Sequence, residues 1–152
     1  MRIIRTKDHE QIARLNETVQ TLHANLYPEV FQPYQYEEVA VFFKEMVKKP
    51  EMVFLVLVDK KDIGYAWVEV KHRPANAFKK AEATLYIHQI SIHADVHGKG
   101  YGSALLAAIE ELAREERMKR IDLDYWIDNT QARMFYEKRG FQLHRQMVYK
   151  PL

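Results

Sequence analysis

The stretch His97-Gly98-Lys99-Gly100-Tyr101-Gly102-Ser103 constrains this chain more than any other. It joins an apolar, β-branched run, Ala83 to Ile92, to a segment that carries Leu105, Leu106, Ile109, Leu112 and Ala113 on one helical face. Glycines there allow positive φ and close approach of a ligand to the backbone. The helix start adds N–H groups without intrahelical acceptors and the positive end of the helix dipole, a combination suited to phosphate oxygens. Lys99 adds charge. Ile121 to Trp126 follows as a further strand, so Ala83–Trp126 reads as a strand-helix-strand unit with parallel strands and a right-handed crossover.

The remaining segments fit around that unit. Arg2–Arg5 reads as a short strand, and Asp8 with Gln11 forms a capping-box start for a helix with Ile12, Leu15, Val19 and Leu22 on one stripe. A loop from Tyr27 to Tyr36 with two prolines precedes a second helix carrying Val39, Phe42, Phe43, Met46 and Val47. Met52–Val58 and Ile63–Lys71 read as a hairpin around the turn Asp59-Lys60-Lys61-Asp62, with a loop over Arg73–Glu82. After the crossover unit, whose helix is expected to end near Lys119, Asn129 or Thr130 caps a short helix ended by Gly140, and a last strand is expected over Phe141–Lys150. With 152 residues, no internal repeat and no linker, residues 1–152 are read as one mixed α/β domain.

Composition excludes several classes. The formal charge is only +2, from 23 basic and 21 acidic residues interspersed along the chain, so neither nucleic acid nor an anionic membrane is expected as a partner. The longest apolar run, Met52–Val58, is too short to span a bilayer, the first residues lack a signal-peptide core, and a cytoplasmic location is expected. Without cysteine there is no disulfide, thiolate metal site or cysteine nucleophile. His93, Asp95 and His97 have suggestive spacing but no supporting cluster, so no metal is expected.

Three phosphate loops compete for the glycine-rich turn. A nucleoside-triphosphate loop requires a Gly-Lys-Ser/Thr order that is absent. A dinucleotide fingerprint begins with Gly98 and Gly100 and finds acids at Asp122 and Asp124, yet Ser103 replaces its third glycine and five residues separate strand from turn. The third fits best. His97–Gly102 resembles the Arg/Gln-x-x-Gly-x-Gly/Ala motif of the GNAT acetyltransferase superfamily, with histidine in the first position, and Asn129, Ala132, Tyr136, Gly140 and Phe141 match its Asn-x-x-Ala-x-x-x-Tyr-x-x-x-Gly-Phe signature. The resemblance covers Leu85–Pro151.

It implies a GNAT-like acyl-CoA N-acyltransferase fold in the order β-α-α-β-β-β-α-β-α-β, with acetyl-CoA as cosubstrate and an amine acceptor acetylated by direct transfer. Main-chain amides around Ile90, Ser91 and Ile92 would face the pantetheine and thioester. His97, Gly98, Lys99, Gly100, Tyr101, Gly102 and Ser103 would cradle the pyrophosphate, and Asn129 would contact the cofactor. Tyr136 corresponds to the tyrosine that sits by the sulfur and protonates the thiolate, so it is expected both to bind the cofactor and to act as acid. Many relatives carry glutamate as base on the fourth strand, but this chain reads Tyr86-Ile87-His88-Gln89. His88 is the candidate base, since imidazole titrates near neutrality, with Glu69 on the preceding strand as the alternative. His23, Tyr27, Phe31, Tyr34 and Tyr86 are the candidates for the acceptor side. Strand pairing near the C-terminal end, a habit of the family, permits a homodimer. A domain that binds acetyl-CoA without turnover is the alternative function.

Overall fold

The computed structural model describes residues 1–152. Its elements are β1 (Arg2–Thr6), α1 (His9–Leu26), α2 (Tyr36–Met46), β2 (Met52–Asp59), β3 (Lys61–Arg73), β4 (Glu82–Ile92), α3 (Tyr101–Glu115), β5 (Arg120–Leu123) and α4 (Thr130–Glu137), with a short 3-10 turn at Ala94–Val96. The strands form one sheet in sequence order, antiparallel from β1 to β4 and parallel between β4 and β5. Strand, crossover helix and parallel strand thus stand as the sequence predicts.

Local chemistry explains the boundaries. Asp8 accepts from the N–H groups of Glu10 and Gln11 and so starts α1, but the Gln11 side chain does not close the capping box. It reaches Asp62 at 2.9 Å and ties the helix to the β2–β3 turn instead. That turn passes through Lys60 at φ 64. Asn129 caps α4 by accepting from Ala132 N–H at 3.1 Å, and Gly140 follows the helix at φ 85, where a Cβ would be strained.

Two cores lie on opposite faces of the sheet. On one, Ile12 and Ala13 of α1 and Phe43 of α2 pack against Phe54, Val56, Tyr65 and Trp67. On the other, Leu105, Leu106, Ile109 and Leu112 of α3 pack against Leu55, Leu57, Val68, Leu85 and Ile87. The alternation along β2 and β3 sends successive side chains to the two cores. Each fully buried Leu or Ile removes apolar area worth about 1.5–3 kcal/mol. No helix is long and apolar enough to cross a membrane.

Three expectations are corrected. α3 ends at Glu115, short of Lys119. β5 ends at Leu123, three residues before Trp126, because its pairing with β4 stops at Ile87↔Leu123. The strand expected over Phe141–Lys150 is not formed: the segment has no regular structure, and Leu143, Met147, Val148 and Tyr149 are exposed. It lies across a cleft from the free edge of β5 without pairing to it.

Candidate active site

The sheet opens where β4 and β5 part. β4 continues through Gln89, Ile90, Ser91 and Ile92 beyond its last pair with β5, so its edge on that side carries no strand. On its other side the register to β3 passes from Trp67↔Gln89 to Val68↔Ile87, which leaves His88 as the extra residue of a β-bulge. A bulge re-aims side chains locally. Here it brings His88 onto the ring of Trp67, stacked at 4.3 Å, with Tyr86 edge-on at 4.9 Å.

His88 and Glu69, alternatives for one role on the sequence, are joined in the structure. His88 Nε2 lies 2.7 Å from Glu69 Oε2, and both side chains are largely buried. Tyr86 donates to Asp124, the residue following β5, and burial, reinforced by that carboxylate, holds its hydroxyl well above the ordinary tyrosine range.

The glycine-rich turn lies beyond the end of β4. Gly98 and Gly100 have φ 80 and 81, and a Cβ at either would meet nothing within 4 Å, so the turn is open to a ligand. Gly102 is different: a Cβ there would stand 3.1 Å from the Phe135 ring, so that glycine serves the packing of α3 on α4. The first helical bond of α3 runs from Ala104 N–H to Gly100 C=O. The amides of Tyr101, Gly102 and Ser103 therefore precede the helical ladder.

Several side chains of the turn are committed to the protein. His97 Nε2 bonds the Ile92 carbonyl at 2.8 Å, closing the turn onto β4. Tyr101 donates to Asp59 at 2.7 Å, and the Ser103 hydroxyl accepts from Arg139. Ser91 turns its hydroxyl toward the Leu15 carbonyl, while Ile90 and Ile92 pack on the α3 core. Only backbone groups of these residues are left to face a cofactor, together with the exposed Lys99. Asn129 is occupied as the α4 cap.

Tyr136 is buried to 9% exposure, with its ring against Phe135, Phe141 and Tyr125. Its hydroxyl has no protein partner, and burial pushes its pKa up to about 12.

Of the acceptor-side candidates, His23 stacks on Phe31 at 4.8 Å, and burial lowers its pKa. Tyr27 lies against Trp126 at 4.7 Å with the rings tilted by 44° and donates to Asp128 at 2.7 Å. Phe31 meets Trp126 edge-on at 5.3 Å, so these three residues link the α1–α2 loop to the β5–α4 loop. Tyr34 is apart from them, its hydroxyl held by the Ala13 carbonyl of α1. Trp126, Arg139 and Asn16 belong to this region and are not site candidates on the sequence, and Asp124 is one there only as an acid of the dinucleotide alternative. Asn16 carried a signal: it lies four residues after Ile12, a polar residue beside the apolar stripe of α1. His93 and Asp95 approach to 3.4 Å, and no group of three or more metal-ligating side chains occurs.

The family model for the acetyltransferase (GNAT) family matches residues 16–141. Among curated proteins, the chain is similar to YycN of Bacillus subtilis (strain 168), described as an uncharacterized N-acetyltransferase, with 31% identity over 90 residues, 58% of this chain and 53% of that protein. It is also 44% identical over 59 residues, 39% of this chain, to the uncharacterized protein YxbD of the same organism, where the match covers 37%. The chain thus spans about half or less of the length of these curated relatives. Among solved structures, a tetramutant of BH1408 from Bacillus halodurans superimposes with a TM-score of 0.93 at 24% identity, covering 100% of both chains. An acetyltransferase of Trypanosoma brucei superimposes with a TM-score of 0.68 at 19% identity, covering 99% of each chain. At these identities the structures share the fold.

Proposed function

The chain belongs to the acetyltransferase (GNAT) family, and from that premise we propose that it transfers an acetyl group from acetyl-CoA to a primary amine, directly and within a ternary complex. One observation carries the reading. β4 leaves β5 after Ile87↔Leu123, and the freed edge leads into a turn where two positive-φ glycines leave open space before α3.

The residues fit the cosubstrate. The amides of Gly98–Ser103 offer donors to pyrophosphate oxygens at a helix N-terminus, while His97 holds the turn in shape and does not itself face the ligand. The freed edge of Gln89–Ile92 offers main-chain groups to the pantetheine amides. When bound, acetyl-CoA supplies a thioester carbonyl and a thiol leaving group. In transfer the amine nitrogen forms the new C–N bond, the C–S bond breaks, the ammonium gives up a proton and the thiolate takes one. With its Nε2–H donated to Glu69, His88 keeps Nδ1 as the basic nitrogen that takes the amine's proton, directly or through water. The Tyr136 hydroxyl, free of any protein acceptor and proton-retaining at neutral pH, supplies the proton to sulfur.

The test is release of free CoA from acetyl-CoA across an amine panel, in a chain whose lack of cysteine keeps a thiol assay clean. Amine-dependent release supports the reading. Saturable acetyl-CoA binding with no release for any amine would return the chain to the non-catalytic alternative.

The same reading includes a homodimer formed through the C-terminal segment. A cleft of about 550 Å³ separates Arg120–Asp122 of β5 from Gly140–His144, and the exposed stretch beyond it lacks a strand partner. Sedimentation equilibrium is expected to show a dimer that Gln146→Pro, which removes a ladder N–H, converts to monomer. A wild-type monomer at high micromolar concentration contradicts it.

A further inference from the structure

On the α1/α2 face of the sheet lies a cleft of about 300 Å³, walled by Asn16 and Gln20 of α1, Gln35 before α2, Phe42 of α2, Trp67 of β3 and Gln89 of β4. At its base is a hydrogen-bonded group of three side chains. Asn16 Nδ2 donates to the Tyr65 hydroxyl at 2.9 Å and to Gln89 Oε1 at 3.2 Å, and the Tyr65 hydroxyl donates to the same Gln89 oxygen. Gln89 Oε1 takes two donors, so turning that amide alone loses both bonds, and turning both amides together only exchanges their roles: either sense leaves one carboxamide with a free oxygen and the other with a free N–H. Asn16 uses both its N–H groups.

Two polar atoms remain unused. Asn16 Oδ1 accepts nothing, although Asn16 is only 3% exposed, and Gln89 Nε2 donates to nothing. Both residues line the cleft. Neither atom is sealed from solvent, so a group that presents the reverse pair can take the place of water at a free acceptor and a neighbouring free donor. A carboxylate is repelled by Glu38 at the cleft wall, an ammonium that pairs with Glu38 still leaves the carboxamide N–H unanswered, and an alkyl chain answers neither free atom. A planar amide answers both; the faces of Trp67 are taken by His88 and Phe54, so that residue gives the cleft a ring edge beside Phe42. The cleft also adjoins the chemistry: Trp67, one of its walls, stacks on His88, and Gln89 follows His88 in the bulge.

We propose that this cleft is an amide-recognition subsite, with Asn16 Oδ1 accepting from the acceptor's amide N–H and Gln89 Nε2 donating to its carbonyl. The acceptor is then an amine tethered to a carboxamide or peptide bond. This rests on the acetyl-transfer reading for the fate of the amine, though not for the binding of the amide.

The experiment compares ω-amino N-methylamides of graded chain length with matched methyl esters, carboxylates and alkylamines, by CoA release and by binding without acetyl-CoA. Binding is read from Trp67 fluorescence in a Trp126→Phe background, the chain holding two tryptophans. The amide is expected to exceed the ester and alkylamine in kcat/KM by about tenfold or more, as a site built for hydrogen bonds discriminates against partners that lack them. Gln89→Glu keeps the oxygen that accepts from Tyr65 and Asn16 but removes the free donor, and is expected to abolish that preference in both readouts. Amide-selective binding without release from any amine would keep the subsite and defeat the transfer reading. Equal rates and equal binding across the series would overturn the subsite and leave the transfer reading intact. Preserved selectivity in a folded Gln89→Glu overturns the assignment of Gln89.

Discussion

The two halves of the sheet are built on different terms. β2 and β3 are paired on both sides along most of their length, β1 pairs with β2 throughout, and the buried side chains of β2 and β3 feed both cores. From β4 onward the pairing thins: four residue pairs hold β4 to β5, a bulge interrupts the ladder at His88, and the segment after Phe141 joins no strand. Backbone groups not used in a ladder are available to a ligand, so the half that opens holds the candidate site, while the half that holds the fold together supplies Glu69 and Trp67 of β3, the side chains that position His88. The difference is a division of labour between a packed platform and an unfinished edge.

The sharpest way to break that division is to strike the platform. A Cβ on Gly64 would lie 2.3 Å from the Ser91 carbonyl and 3.0 Å from the Ile92 Cα, both backbone atoms of β4. Gly64→Val is therefore expected to destabilise the chain by about 3 kcal/mol, by urea unfolding, because the strand itself must shift. In the open half the reverse pattern is expected. Tyr136→Phe removes a hydroxyl with no protein partner, so kcat falls about 100-fold while the melting temperature and acetyl-CoA affinity hold. Burial raises the tyrosine's pKa to about 12, so its acid form persists below that value, and the rate is expected to show no alkaline loss from this group up to pH 10.

A smaller effect belongs to the turn. Gly100→Val places a β-branched residue at φ 81, and about tenfold weaker acetyl-CoA binding is expected by calorimetry with a stability loss of about 1–2 kcal/mol from the backbone strain. The smallest lies at the seam between the halves. Hydrogen bonds from Arg120, together with Arg73, hold the Glu82 carboxyl below the usual carboxylate range. A depressed folded-state pKa stabilises above the unfolded value and loses that contribution as pH falls through the folded one. Thermal stability is thus expected to drop in acid more steeply in wild type than in Glu82→Gln.

What the sequence disclosed divides in the same way. The glycine-rich turn, the α3 stripe and both α4 ends were legible because each is set by residues within a few positions of one another. The C-terminal strand was misread for the opposite reason. Phe141, Leu143, Met147 and Tyr149 alternate as a half-buried strand does, but alternation cannot say whether the chain joins the free edge of β5 or stands off it. The end of β5 at Leu123 follows from where β4 diverges, a property of two strands at once. His88 and Glu69 were weighed as rivals because the bulge that joins them lies in a register no local pattern encodes. Asn16 and Gln89 meet across 73 residues, and only the fold brings their unused polar atoms into one cleft.

The most direct test of the account is titration calorimetry of the chain with acetyl-CoA, with NAD as the parallel ligand and Gly100→Val beside wild type. Saturable one-to-one binding of acetyl-CoA alone, weakened by the substitution, is the predicted result. Absence of acetyl-CoA binding, or equal binding of NAD, would contradict the assignment of the open edge and its turn to acetyl-CoA.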